Sequence, residues 1–174
     1  MERDRALLRH MLATIAYRCG KTIRGAPEGF ASFRAEGSLN TPILLLAHIG
    51  DLIEWAHRWC RGEEESYKIS EPLDWNGEVK RFFSSLESFD HYLASGGSLQ
   101  MDLESMFQAP IADALTHIGQ LALLRRMAGD PVPGEAYRLA EIVVGRVGLE
   151  QAKPGREFER DKGAIWRSGI RNRK

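Results

Sequence analysis

PIADALTHIGQLALLRRMAG, residues 110–129, carries both the frame of a helix and a cluster of polar side chains within an apolar run. Proline at a first helical position and glycine just past the end predict a helix. Between Ile111 and Leu124 the polar side chains are Asp113, Thr116, His117 and Gln120. At about 100° per residue they share one arc of roughly 100°. Leu124 projects into the same arc, and Leu121 and Leu123 flank it. A helix apolar on nearly every side is expected to be buried. Asp113 and His117 are one turn apart and can reach the same atom. A carboxylate and an imidazole on a buried stripe need a partner.

Upstream, Thr41-Pro42 repeats the signature of a cap followed by proline. That helix is predicted to reach about Arg61 and to stop at Gly62. His48 lies in its apolar run PILLLAHIGDLIEW, with Leu44, Leu52 and Trp55 on the same stripe and Asp51 one turn on. His57, near the polar end, is expected to be exposed. A third helix is predicted from Trp75 to Leu93, with Val79, Phe82, Phe83, Leu86 and Phe89 on one face. His91 is near its end, before the Ser95-Gly96-Gly97-Ser98 break. Residues 99–107 are expected to form a short helix ending where Pro110 restarts the chain. A first helix, Arg3 to Ile23, carries Leu7, Leu8, Met11, Leu12, Ile15 and Ala16 at helical spacing, with His10 on the surface.

The connections follow from punctuation. Gly25, Pro27, Gly29 and Gly37 mark an irregular stretch that Phe30 and Phe33 are expected to pin to the core. Glu63 to Glu65 read as a solvated acidic loop, and residues 70–74 as a second connector. After Gly129, DPVPG is a turn cluster. Residues 135–147 are expected to form a last helix, although LAEIVVG is also rich in β-branched residues.

The 174 residues suggest one domain with a proper core. Lysine plus arginine equals aspartate plus glutamate, 24 each, so no net charge draws the chain toward nucleic acid or anionic membrane. No apolar run has transmembrane length. The start, MERDRALLRHML, lacks the pattern of a secretory signal, and a cytoplasmic protein is expected. Cys19 and Cys60 form no metal spacing and no disulfide framework; they read as small residues packed on helices. The expectation is an all-α fold: an antiparallel four-helix bundle in residues 1–150 and a basic tail in 151–174. From Lys153 that tail carries eight positive residues against three acids, with Phe158 and Trp166 as docking points on the body. It lacks the aromatic-interleaved platform that nucleic-acid contact needs. Trp59, Phe82, Phe83 and LAEIVVG offer more apolar surface than one four-helix core requires, so a homodimer is expected.

Helix bundles build metal sites from side chains on facing helices. His48 on one helix and Asp113 with His117 on another give two imidazoles and a carboxylate. That set suits a divalent metal such as zinc, nickel, iron or manganese. Gln120 and Asp51 are candidates for the shell behind the ligands, with Asp51 or Glu54 as a base. Without metal, Asp113 and a protonated His117 would pair with each other. There is no Ser-His-Asp order, phosphate loop or HExxH motif.

LAHIGDLIEWAHRW (46–59) and ADALTHIGQLALLRRMAG (112–129) resemble the DinB/YfiT-like superfamily of metalloenzymes. The resemblance covers residues 3–129. It implies an antiparallel four-helix bundle, a dimer, and metal ligands from one histidine in the second helix and an H-x-x-x-H pair in the last. His48 matches the former and His117 the second half of the pair. Asp113 stands where the pair's first histidine would be. The resemblance also implies a thiol S-transferase or hydrolase, with a small-molecule substrate or low-molecular-weight thiol. The alternative is a non-catalytic dimeric bundle that binds a small ligand or partner, its metal site vestigial.

Overall fold

The computed structural model describes residues 2–63 and 66–158. The chain is mostly helical. Its helices are α1 (Glu2–Ile23), α2 (Pro42–Cys60), α3 (Trp75–Ala94), α4 (Leu103–Met106) and α5 (Ala112–Met127). A π-helical turn over Phe107–Ile111 joins α4 to α5, and β1 (Gly134–Glu135) pairs antiparallel with β2 (Glu157–Phe158). Each long helix ends as its sequence dictates. The left-handed backbone of Gly62 and Gly129 (φ 74° and 85°) closes α2 and α5. At α5 the amides of Gly129 and Asp130 return to the carbonyls of Arg126 and Arg125. Among the described residues no helix is long and apolar enough to cross a membrane.

The helices form a ring of neighbours: α1 against α3, α3 against α2, α2 against α5, α5 against α1. Leu12, Ile15, Leu46, Ile49, Ile53, Phe82, Leu86 and Phe89 fill its centre, each essentially fully buried. Such burial stabilises by about 1.5–3 kcal/mol per large side chain. The contacts also fix direction. Arg5 donates to the carbonyl of Leu93, and Arg9 pairs with Asp90, so α1 and α3 run oppositely. Leu52 and Trp55 face residues 108–112, and the Gln100 amide meets the Cys60 carbonyl, so α2 and the α4–α5 arm do too. In contrast α2 and α3 are parallel: Arg81 reaches Ala47 and Asp51, Ser85 reaches Glu54, and His57 stacks on Phe89. The antiparallel expectation therefore fails at α1 and α5, whose C-terminal ends meet where Arg125 donates to the carbonyls of Thr22 and Arg24, and at α2 and α3. At the latter pair the cause is the connection, whose residues 66–74 return along α2: Ser66 meets Arg58, Tyr67 meets His48, and Ser70 meets Asp51.

An ionic bolt holds that return. Arg81 binds Asp51 at 2.6 Å and Glu78 at 3.0 Å, and Glu78 also accepts the Leu73 amide. Glu78 is wholly buried, which its position in a charged sequence does not suggest.

Four expectations need correction. Pro110 does not begin a helix; it sits inside the π turn, whose wider ring relieves the clash that proline makes in an α-helix. Residues 135–147 are not a helix. After the two prolines of DPVPG, Glu135 is drawn into the sheet and binds Tyr17 and Lys21 on α1, and only Tyr137–Leu139 makes a single 3₁₀ turn. Phe82 and Phe83 are core, 0% and 4% exposed, and supply no surface for a partner. His57 is not exposed; it lies against Phe89 and its Nε2 is buried with no hydrogen-bond partner among the described residues.

Residues 151–158 turn back onto the body through Gln151 and β2. Trp166, the basic residues from Arg160 onward, and Glu64 and Glu65 of the acidic run lie outside the described residues.

The state of His57 has a pH consequence. Burial, and then the charge of Arg61, lower its pKa in the folded chain. The unfolded chain, with a value near 6.5, therefore binds more protons as the pH falls below about 6.5, and stability drops with it. His57→Leu is expected to flatten the pH dependence of the urea midpoint between about pH 7.5 and 5.5. An unchanged slope would show that the imidazole does not resist protonation.

Candidate metal centre

α2 and α5 cross where each has placed its histidine. His48 projects from the middle of α2; Asp113 and His117 project from successive turns of α5. His48 Nε2 lies 3.5 Å from Asp113 Oδ2, and His117 Nε2 lies 3.2 Å from Asp113 Oδ1. The two imidazoles meet edge to face, 4.6 Å between centroids and 81° between planes. One carboxylate thus stands between two imidazoles, an oxygen for each.

The other nitrogen of each ring is also held. His117 Nδ1 lies 3.0 Å from Gln120 Oε1; with the proton on Nδ1 it donates there, and Nε2 is then the nitrogen that an ion beside Asp113 would take. His48 Nδ1 shares a 2.5 Å hydrogen bond with the hydroxyl of Tyr67. The Tyr67 pKa is pushed up to about 12, first by burial and then by the charges of Asp51 and Asp113. Its hydroxyl stays protonated at neutral pH.

The arc on α5 is not buried as its apolar flanks suggest. The Asp113 side chain is 46% exposed, against 33% for His48 and 17% for His117. Thr116, Gly119 and Gln120 face water, while Ala114, Ile118 and Leu121 face the core. The helix has a buried and an exposed face, though Arg125 lies on the first and Leu123 and Met127 on the second, and the triad sits on the boundary between them.

Gln120 stands where the sequence places it, behind His117. Asp51 does not: it binds the Ser70 amide at 3.0 Å and Arg81 at 2.6 Å, and it serves the returning segment rather than the triad. Glu54 accepts from Ser85 on α3. Tyr67 is the residue that sequence reasoning misses. It lies in a polar connector without periodicity, and its one signal is a large aromatic side chain in a stretch otherwise fit for water. Cys19 and Cys60 are free and buried, and burial holds both thiols above their ordinary range, Cys60 at about 11.

The donor set fits a divalent ion. One ligand atom from each of the three residues lies within 4.8 Å of the others. Bonds of about 2.0–2.2 Å put two ligands on one ion roughly 3–3.5 Å apart, the spacing Asp113 already has to both rings. Small rotations would bring the imidazoles to the same ion, and the exposed side of Asp113 leaves positions open.

No protein-family model, curated protein or solved structure matches this chain.

Proposed function

We propose that this chain is a divalent-metal-dependent enzyme of the DinB-like type, a thiol S-transferase or hydrolase, with His48, Asp113 and His117 as the ligands. One observation carries the reading: both Nε2 atoms converge on Asp113 while Tyr67 and Gln120 hold both Nδ1 atoms. Ligand histidines in metal sites are oriented in this way. When bound, a divalent ion lowers the pKa of a coordinated thiol or water and supplies a nucleophile near neutral pH. His48 and His117 contribute neutral nitrogens, and Asp113 contributes a charge that favours a cation. In this reading the ring of helices is the family's four-helix bundle, the chain is a cytoplasmic homodimer, and the substrate is a small molecule with a low-molecular-weight thiol as cosubstrate.

A second reading has its own support. At 46% exposure the Asp113 carboxylate is solvated and does not require a cation. The group would then be a hydrogen-bonded remnant on a non-catalytic bundle that binds a small ligand or partner.

Elemental analysis separates the two. Close to one divalent ion per chain is expected; a chain that takes up none from zinc, nickel, iron or manganese excludes the centre. Tyr67→Phe is expected to weaken metal binding about tenfold and to leave the urea midpoint in place. Equal affinity would mean that the hydroxyl does not orient His48.

A further inference from the structure

Beside the triad, α2 and the π turn border a shallow, open groove of about 410 Å³ lined by Leu52, Trp55, Gln108, Ala109, Ala112, Asp113 and Thr116. Asp113 belongs to the groove wall and to the triad, so the groove opens onto the centre. We propose that this groove is a substrate subsite for an uncharged aromatic group, stacked on Trp55, whose reactive end points at the triad. The reactive end rests on the metal-centre reading; the groove itself does not.

The wall defines the ligand. Trp55 is stacked with Trp59 at 5.3 Å and 12°, and Tyr67 packs edge-on against it at 5.8 Å. Trp59 and Tyr67 fix the indole, and the part of it that lines the groove is an aromatic surface for a flat ring. Leu52, Ala109 and Ala112 continue that apolar surface. Thr116 donates its hydroxyl proton to the Ala112 carbonyl at 2.9 Å, so its oxygen is left to accept. Gln108 adds an exposed amide that can donate or accept.

Charge disfavours anions. Among the described residues the ionisable group of the lining is Asp113, and no lysine or arginine lines the groove. A phosphate or carboxylate there would find no described cation of the chain to pair with. The cationic cleft of this protein, with Arg58, Arg61 and Arg81, lies elsewhere, between α2 and α3.

The backbone also shapes the groove. The π turn adds a residue to the ring and faces Gln108 and Ala109 toward Trp55. Single π turns inside α-helices gather at functional sites.

The test compares two metal-chelating probes on zinc-loaded protein: benzohydroxamate and acetohydroxamate, which differ only in phenyl against methyl. Benzohydroxamate is expected to bind about tenfold more tightly. The preference should vanish in Trp55→Ala and in Thr116→Trp, which fills the groove from an exposed position, while acetohydroxamate stays within about twofold. A para-carboxylate on the phenyl ring should weaken binding about fivefold. Equal affinities in the wild type, a preference that survives both substitutions, or tighter binding of the carboxylate would each overturn the assignment. If the chain takes up no metal, benzyl alcohol on metal-free protein, read by tryptophan fluorescence, tests the groove alone. Binding lost in Thr116→Trp supports the groove without the centre, and no binding overturns it.

Discussion

Replacing His48 or His117 by alanine is expected to strip the protein of its metal, with affinity falling by more than about 100-fold in each case. Asp113 stands 3.5 Å from one Nε2 and 3.2 Å from the other, and no third imidazole is near. Losing either ring leaves a single nitrogen and one half-exposed carboxylate, a set that water and buffer can outcompete. Both side chains are partly exposed, so little stability should go with the metal. Circular dichroism and elemental analysis on the same samples check this. Unchanged metal in both variants would put the ion elsewhere. Asp113→His, which would restore two histidines one turn apart, is expected to keep the metal and to tighten zinc.

Arg81→Met is expected to cost about 3–5 kcal/mol of folding stability. Arg81 is the cation shared by Asp51 and Glu78, whose side chains are 2% and 0% exposed, and it also donates to the Ala47 carbonyl and the Ser70 hydroxyl. Its removal strands two buried carboxylates. Urea unfolding reads the loss directly. A combined Asp51→Asn, Glu78→Gln, Arg81→Met variant should recover much of it, because the stranded charges are gone. A loss in Arg81→Met below about 1 kcal/mol would class the bolt with ordinary surface pairs. Arg81→Met should also loosen the segment that carries Tyr67 and weaken metal binding secondarily.

How far the sequence foretells this molecule depends on which forces act locally. α1, α2 and α3 are legible because period, caps and glycine stops agree along each segment. The triad is legible because His48, Asp113 and His117 sit in apolar runs at helical spacing, and because helix direction then brings them together. Pro110 misleads: a proline that starts a helix and one tolerated in a π turn leave the same mark in the chain. Residues 135–147 mislead because distant partners decide them. Tyr17 and Lys21 hold Glu135 against whatever helical tendency LAEIVVG has. Tyr67 and Glu78 are silent for the same reason: each is explained only by the path of residues 66–74 along α2.

That path also bears on how the protein folds. In a bundle of helical hairpins, each neighbour can dock on the last through a short loop. Here α2 and α3, adjacent in the chain, pack side by side only after the segment between them has doubled back along α2. α1 finds its neighbours in α3 and α5, both far along the chain. Loop-closure entropy must be met before these contacts return free energy. The native arrangement therefore has a higher contact order than its helical content alone implies. Folding should be slower than for a hairpin bundle of this size, with His48, Asp113 and His117 coming together only once α2 and α5 have docked.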